Sequence, residues 1–362
     1  MVSRDAVKEA VEAVVEPDLR RPIGGIGMVR EVDAKRRGAV RVGIGVPTPQ
    51  WPADRLGEAI ADAARSVDGV DEVEVQVAFM DTAEQAELAS RLRLGKPEKP
   101  GGQGSRTRVV TIGSGKGGVG KSSVTANTAV SLARMGHDVA VIDADVWGYS
   151  IPKMLGVELS PQAISQLIVP PSAHGVRAIS MDFFVPADEA VVWRGPMLHK
   201  ALEQFLADVF WDEPEFLLID MPPGTGDVAI SLSQFLPGAQ SLIVTTPQIT
   251  AQRVAKRAAL MAAKVNQEVV GVVENMSWFT GDDGKRYSIF GEGGGAALAE
   301  ELGVELLGRV PLQPALREGA DDGRPVALAA PDSEAAGAFD EIARRLVDIR
   351  PRVRRPPELV IG

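Results

Sequence analysis

The 362-residue sequence contains no cysteine. The chain can therefore form no disulfide bond, no thiolate zinc site and no iron–sulfur cluster held by its own thiolates, and it has no catalytic thiol. Long apolar runs are missing as well, since no stretch approaches the ~18 residues that a membrane span requires. The first 25 residues lack the unbroken apolar core of a signal peptide. These absences predict a cytoplasmic protein with no membrane partner.

The sequence has fewer basic than acidic residues. Lys and Arg number 39 against 49 Asp and Glu, a formal net charge of −10 at pH 7. Nucleic acid is therefore not expected as a general partner of the surface. Apolar residues make up 45% of the chain and charged residues 24%, which are ordinary values for a globular protein. The length suits two domains.

The first 80 residues alternate between two periodicities. Apolar residues follow helical spacing from Val7 to Val15 and from Leu56 to Val67, whereas residues 40–46 and 73–79 alternate as strands do. We predict a small α+β domain over residues 1–80, in the order helix, strand, strand, helix, strand.

Residues 81–107 are predicted to form a helix and then a linker rich in glycine and proline. Beyond the linker, short apolar runs are separated by segments long enough for helices. Runs without alternation are typical of strands covered on both faces, so residues 108–350 are predicted to form an α/β domain with a doubly wound, mostly parallel sheet. Residues 351–362 form a tail rich in Arg and Pro. The predicted strands are 108–112, 139–142, 216–219, 242–244 and 269–273.

A glycine-rich segment lies directly between the first of these strands and a helical stretch. Its sequence, GKGGVGKS, fits G-x-x-x-x-G-K-[ST] in the context that a phosphate-binding loop requires. Its backbone N–H groups would bind phosphate oxygens, Lys121 would reach the β and γ phosphates, and the Ser122 hydroxyl would ligate Mg²⁺. The predicted nucleotide-binding residues of the loop are Gly115, Lys116, Gly117, Gly118, Val119, Gly120, Lys121, Ser122 and Ser123.

A dinucleotide-binding pattern overlaps this loop. Gly113, Gly115 and Gly118 fit G-x-G-x-x-G, and Asp143 lies near the distance of a ribose-binding acid. A Rossmann turn has no use for a lysine and a metal-ligating hydroxyl at the next positions. The pair Lys121-Ser122 therefore favours a nucleoside triphosphate.

Two apolar strands end in carboxylates. The run from Phe216 ends in Asp220, as a Walker-B element does, and the run from Val139 ends in Asp143, with Asp145 two residues later. A helix N-cap is the alternative role for any one Asp. Carboxylates at the carboxyl ends of parallel strands point into the ligand crevice, so two such ends beside a phosphate loop favour a place next to the metal and the γ phosphate.

The motifs together resemble a known family. Lys116 beside the first loop glycine resembles the signature lysine of the deviant Walker A loop in the MinD/ParA superfamily. Over about residues 106–330, the sequence is similar to the Mrp/ApbC branch of P-loop ATPases. The preceding small domain resembles the one that commonly precedes Mrp ATPases. The segments that carry the resemblance are DADVWGYSIP from Asp143, WRGPM from Trp193, DMPPGTGD from Asp220, ENMS from Glu274 and FGEGGG from Phe290.

The resemblance implies a Mg²⁺-dependent ATPase that works as a homodimer. Lys116 resembles the lysine that reaches the partner's phosphates, and it joins Lys121 and Asp145 in the expected catalytic set. Asp145 matches the carboxylate that orients the attacking water. Asp143 and Asp220 match groups that bind Mg²⁺ mainly through its waters.

Asn275 resembles the asparagine that reads the adenine edge, for which an amide with a donor and an acceptor is suited. A turn-forming Asn after a strand is the alternative role.

The resemblance also implies a part in the assembly or transfer of iron–sulfur clusters, and here this sequence departs from its family. The family uses a Cys-x-x-Cys pair shortly after the Glu-Asn-Met segment, whereas residues 277–287 contain no thiol. Trp51-Pro52 stands where relatives often have Cys-Pro. Since a cluster needs soft ligands, the thiolates are expected from a partner, a scaffold or an apoprotein.

Two other functions remain open. The first is a ParA/MinD-like switch that dimerises with ATP on a membrane or nucleoid. The Arg-rich end contains Pro351, Pro356 and Pro357 and cannot form the continuous amphipathic helix that a membrane anchor would need. The second is a metabolic enzyme that uses ATP to activate a small substrate, for which the sequence shows no dedicated motif.

Overall fold

A computed structural model describes residues 2–34, 38–146, 148–184, 195–224 and 226–349. The predicted tail at 351–362 and the first two residues of the WRGPM segment lie outside the described residues. The helices are α1 (Arg4–Glu12), α2 (Ile23–Ile26), α3 (Ala53–Arg65), α4 (Thr82–Arg93), α5 (Lys121–Arg134), α6 (Ile151–Met154), α7 (Gly195–Ala207), α8 (Asp227–Phe235), α9 (Ile249–Lys264), α10 (Gly294–Leu302), α11 (Pro314–Asp321), α12 (Val326–Ala329) and α13 (Glu334–Asp348). The strands are β1 (Val15–Glu16), β2 (Arg21–Pro22), β3 (Val29–Ala34), β4 (Ala39–Val46), β5 (Glu72–Phe79), β6 (Arg108–Ser114), β7 (Val139–Asp143), β8 (Gln162–Ile164), β9 (Leu167–Val169), β10 (Ser172–Ala173), β11 (Val176–Ser180), β12 (Phe216–Asp220), β13 (Gln240–Thr245), β14 (Glu268–Glu274), β15 (Phe279–Thr280), β16 (Arg286–Tyr287) and β17 (Glu305–Arg309).

The chain divides into two compact units. The first contains residues 1–98, 159–172 and 204–213, and the second contains the rest of the described chain. Each unit therefore consists of stretches that are not continuous in the sequence. The predicted domain limits at residues 80 and 107 stay predictions.

The first unit has the small α+β fold that the sequence predicts. Strand β4 pairs antiparallel with β3 and parallel with β5, and α3 makes the crossover between the two parallel strands. Helix α1 begins at the N-cap Ser3, and α4 begins at a capping box formed by Asp81 and Glu84. The apolar side chains of β4 and the helices form one core, which the hairpin β8–β9 completes with Ile164 and Leu167.

The second unit is built on an eight-stranded sheet in the order β10-β11-β7-β12-β6-β13-β14-β17. The strands from β11 to β17 in this order pair parallel with their neighbours. Leu242 and Val244 of β13 pack into a core with α5 and α13, whereas Ile243 between them packs with α9 and α10. Helices therefore cover both faces, which confirms the doubly wound, mostly parallel α/β fold.

The structure adds strands that the sequence patterns do not indicate, among them β17 and β11 of the large sheet. Strand β17 at one edge is half-exposed and lacks a continuous apolar run. Strand β11 contains the buried Arg177, whose charge pairs with Asp138 at 2.7 Å. In both strands the sheet neighbour decides the conformation more than the local pattern does. Among the described residues, no helix is both long and apolar enough to span a membrane.

One carboxyl group is buried in the first unit. Glu16 accepts hydrogen bonds from the backbone N–H of Leu19 at 2.6 Å and of Asp18 at 2.8 Å, and from the indole Nε1 of Trp51 at 3.1 Å. Trp51 is itself buried, so its aromatic side chain fills part of the core of the first unit. Burial raises the pKa of Glu16 to about 7, and the three hydrogen bonds oppose that rise only in part.

This raised pKa predicts a pH-dependent stability. The folded state keeps a proton that the unfolded state releases, so stability falls as pH rises from about 4.5 to about 7. We expect the free energy of unfolding of Glu16→Gln, relative to the wild type, to increase by about 3 kcal/mol between pH 4.5 and pH 8. Denaturant unfolding across this range measures the difference, with the exposed Glu9→Gln as control. A difference that does not change with pH would contradict the assignment.

Candidate functional site

The glycine-rich loop connects the end of β6 to the start of α5, as predicted. Gly120 adopts φ +78°, a left-handed conformation that disfavours other residues, and α5 begins at the next residue. Gly115 approaches α9 so closely that an added Cβ would lie 2.2 Å from the backbone carbon of Val254. Glycine is thus required at both positions to direct the loop around the helix N-terminus.

A cavity of about 460 Å³ opens over this loop. Its size falls in the range of small-molecule sites, and the N-terminus of α5 gives it partial positive charge. Every predicted loop residue from Lys116 to Ser123 lines it, together with Asp145. The other lining residues are Ser114, Gly148, Ser150, Met154, Pro222 and Pro223.

Asp220 ties the first turn of α5 to the sheet beneath the cavity. Its Oδ2 atom lies 2.6 Å from Lys121 Nζ and also accepts a hydrogen bond of 2.6 Å from the Ser122 hydroxyl. Both Asp220 and Lys121 are buried, so the two charges satisfy each other in a medium where either one alone would be costly. A lysine, a hydroxyl and a carboxylate thus converge as a magnesium–triphosphate site requires.

The two other carboxylates lie on either side of this group. Asp143 is paired in register with Asp220 on the neighbouring strand, and its carboxylate accepts N–H bonds from Asp145, Ser150 and Ile151. Burial, and next the charge of Asp220, raise the pKa of Asp143 above its ordinary value. These bonds hold the start of α6 and the backbone at Asp145.

Asp145 points into the cavity. Its Oδ2 lies 3.6 Å from Lys121 Nζ, whereas its Oδ1 is buried and has no hydrogen-bond partner in the part of the chain that the structure describes. A buried acceptor without a partner is rare in proteins. Asp145 also lines the cavity beside Lys121 and Ser122, so the residues present suit a nucleotide with Mg²⁺.

Lys116 in the loop and Asn275 after β14 each donate one side-chain hydrogen bond in this region. Lys116 Nζ donates to the side-chain oxygen of Gln248 at 3.0 Å, and Asn275 Nδ2 donates to the backbone oxygen of Val119 at 2.8 Å. Asn275 is buried against the loop and does not line the cavity. Its role in reading adenine stays a prediction.

The structure thus brings the predicted site residues together at one edge of the sheet. Sequence reasoning missed Gln248 and Thr125, whose hydroxyl donates to Asp220 Oδ1 at 2.6 Å. Thr125 could have been found from its spacing, because a residue four positions after Lys121 lies one helical turn further on the same face of the helix. No local pattern indicates Gln248, which lies 132 residues from Lys116.

The segment after Met276, in which the cysteine pair expected from the resemblance is missing, contains the hairpin β15–β16. Glu334 accepts hydrogen bonds from Trp278 Nε1 at 3.2 Å, from Thr280 at 3.0 Å and from Arg286 at 2.8 Å. The Arg286 guanidinium lies 4.3 Å from the centre of the Trp278 ring, a cation–π distance. Side chains therefore hold this hairpin without any thiol.

Comparison with known proteins agrees with the loop and the sheet. The model of the NUBPL iron-transfer P-loop NTPase family matches residues 105–347. The chain belongs to this family. A second model, described as iron-sulfur cluster assembly protein, matches residues 4–77, which covers most of the predicted small domain.

Curated members of the family are similar over nearly the whole chain. The iron-sulfur cluster carrier protein of Mycobacterium tuberculosis H37Rv is 45% identical over 352 residues, 93% of this chain and 91% of its own length. The protein of the same name from Bacillus subtilis is 39% identical over 322 residues, 86% of this chain and 89% of its own length.

Solved structures resemble the P-loop NTPase part. The nucleotide-binding protein of Archaeoglobus fulgidus in complex with ADP is 32% identical, with a TM-score of 0.56 over 65% of this chain and 93% of its own. The septum site-determining protein MinD of Pyrococcus horikoshii, complexed with Mg-ADP, is 26% identical, with a TM-score of 0.51 over 66% of this chain and 96% of its own. The recognition of the Mrp/ApbC branch within the MinD/ParA superfamily is therefore confirmed.

The close approach of Gly115 to α9 gives a test of the loop geometry. We expect Gly115→Ala to lower the free energy of unfolding by about 1–3 kcal/mol, because its methyl group would meet backbone atoms that cannot move aside. Gly117→Ala is the matched control, since its Cβ would meet no atom nearer than 3.9 Å. Denaturant unfolding measures both. Equal stabilities of the two variants would contradict the packing described.

Proposed function

We propose that the chain binds ATP with Mg²⁺, hydrolyses it, and uses this cycle in the assembly or transfer of iron–sulfur clusters. The observation that carries the proposal is the convergence of Lys121, Ser122, Asp145 and Asp220 at one cavity above a phosphate loop. The ADP and Mg-ADP of the two solved relatives support the nucleotide, and the names of the curated relatives support the cluster.

The loop residues perform the binding steps. The backbone N–H groups from Gly117 to Lys121 would bind phosphate oxygens, and Lys121 would turn from Asp220 to the β and γ phosphates. Ser122 and Asp220 would hold Mg²⁺, and the neighbouring Asp143 would contact the metal through its bound waters. When bound, the metal neutralises charge on the phosphates.

Asp145 has the geometry to direct hydrolysis. Its carboxylate lines the cavity beside Lys121, where it would accept a hydrogen bond from the attacking water. Asp143 Oδ1 accepts a hydrogen bond from the backbone N–H of Asp145, which holds the backbone at that residue. Positioning of this kind is the main catalytic contribution in phosphoryl transfer.

Lys116 would act across a homodimer. Its amine would leave Gln248 and reach the phosphates bound by the partner, where it would neutralise charge that develops in the transition state. Hydrolysis would then depend on dimerisation, so the nucleotide would control the association of two copies.

The cluster would be cargo whose thiolates belong to a partner, a scaffold or an apoprotein. The chain has no cysteine, and the hairpin β15–β16 is held by Glu334 and Arg286. Asp282 and Asp283 in its turn are hard oxygen ligands, better suited to Mg²⁺ or water than to a cluster. A membrane or nucleoid switch and a small-molecule activating enzyme gain no support from the names of the curated relatives.

The two loop lysines should separate binding from hydrolysis. We expect Lys121→Ala to weaken Mg·ATP binding by about 10²-fold, because it loses a charge-assisted phosphate contact. Lys116→Ala should bind ATP normally but hydrolyse it about 10²-fold more slowly. Equilibrium binding and phosphate release measure the two effects, with the exposed Lys264→Ala as control. Normal turnover by Lys116→Ala would refute its action across the dimer.

The source of the thiolates can be tested directly. After anaerobic incubation with iron and sulfide and removal of excess reagents, we expect the purified protein to be colourless, because it offers no soft ligands. The visible absorption spectrum and bound iron are measured, with an apo-ferredoxin treated in parallel as a positive control. A stable cluster at a stoichiometric ratio would show that this chain ligates its cargo itself.

A further inference from the structure

Thr125 lies one helical turn after Lys121 on α5, on the side of the helix that faces Asp220. The side chains of Thr125 and Asp220 are completely buried. The Thr125 hydroxyl lies 2.6 Å from Asp220 Oδ1, on the other carboxylate oxygen from the one that Lys121 and Ser122 contact. The threonine therefore holds the side of Asp220 that faces away from the lysine.

The hydroxyl has one proton and two acceptors in reach. The second acceptor is the backbone oxygen of Lys121, at 3.1 Å. The carboxylate is closer and charged, and hydrogen bonds to charged acceptors are shorter and stronger than bonds to neutral ones. The proton therefore goes to Asp220.

Binding of Mg·ATP would affect the three hydrogen-bond donors to Asp220 differently. Under the proposed function, Lys121 turns to the phosphates and Ser122 turns to the metal, so both bonds to Oδ2 are exchanged when Mg·ATP binds. The bond from Thr125 is to Oδ1, and Thr125, its donor, is not a group that phosphate or metal requires. It can persist throughout the cycle. A buried carboxylate that lost every donor would be free to rotate and costly to keep ionised.

We propose that Thr125 is a positioning residue that fixes the carboxylate of Asp220 for Mg²⁺ while Lys121 and Ser122 change partners. This inference rests on the proposed function, because it assigns Asp220 to the metal. Thr125 itself contacts neither the phosphates nor the metal. Its removal should weaken the contribution of Mg²⁺ to ATP binding and leave metal-free ATP binding unchanged.

The chain provides a matched control on the same helix. Thr128 is also completely buried on α5, but its hydroxyl has no hydrogen-bond partner among the described residues. Thr128→Val therefore makes the same chemical change as Thr125→Val in the same helix without removing a bond. Thr125→Ser keeps the donor, and Thr125→Ala differs from it only by the hydroxyl.

The experiment compares the affinity of the full-length protein for a fluorescent ATP analogue in Mg²⁺ and in EDTA. We expect Thr125→Val and Thr125→Ala to reduce the ratio of the two affinities about tenfold, with the EDTA value within about twofold of the wild type. Thr125→Ser and Thr128→Val should keep the wild-type ratio. Thermal unfolding shows whether each variant is folded. If Thr125→Val does not fold, the comparison of Thr125→Ser with Thr125→Ala tests the same hydroxyl.

Three outcomes would overturn the inference. The first is a wild-type ratio in Thr125→Val and Thr125→Ala. The second is an equal loss in Mg²⁺ and EDTA, which is the result of a packing defect. The third is the same loss in Thr128→Val. A wild-type protein that bound no analogue in either condition would instead refute the proposed function, and this inference with it.

Discussion

The site depends on one buried ionic contact, between the carboxylate at the end of β12 and the first turn of α5. Asp220 and Lys121 are both removed from water, and neither charge would be tolerated there alone. Their contact sets where the helix begins relative to the sheet. The loop before the helix then has to bend sharply, which Gly115 and Gly120 allow. The N–H groups of the loop meet around one cavity as a consequence.

The parallel sheet extends this arrangement to the other carboxylates. Because β7 and β12 are neighbours in register, Asp143 and Asp220 lie side by side at the same edge. Asp143 uses its oxygens to hold the backbone of the following loop, in which Asp145 lines the cavity. Each carboxylate has a different environment, so each is suited to a different task.

Much of this could be predicted from the sequence, because the loop motif and the acidic strand ends are local patterns. The sequence predicted the loop from Gly115 to Ser123, Asp220 and the alternation of strands and helices. It did not predict β11 or β17, whose conformation depends on sheet neighbours. The bond from Lys116 to Gln248 joins positions 132 residues apart, and no local pattern records it. The hairpin β8–β9 likewise packs in the first unit although its sequence lies in the middle of the second.

A crystal structure of the protein with Mg²⁺ and a non-hydrolysable ATP analogue is the most direct test of the proposed nucleotide site. The predicted result is a triphosphate under the amides from Gly117 to Lys121, with the amine of Lys121 moved from Asp220 to the phosphates. The Thr125 hydroxyl should still contact Asp220. An analogue bound elsewhere, or a Lys121 that still pairs with Asp220 beside a bound triphosphate, would contradict the account.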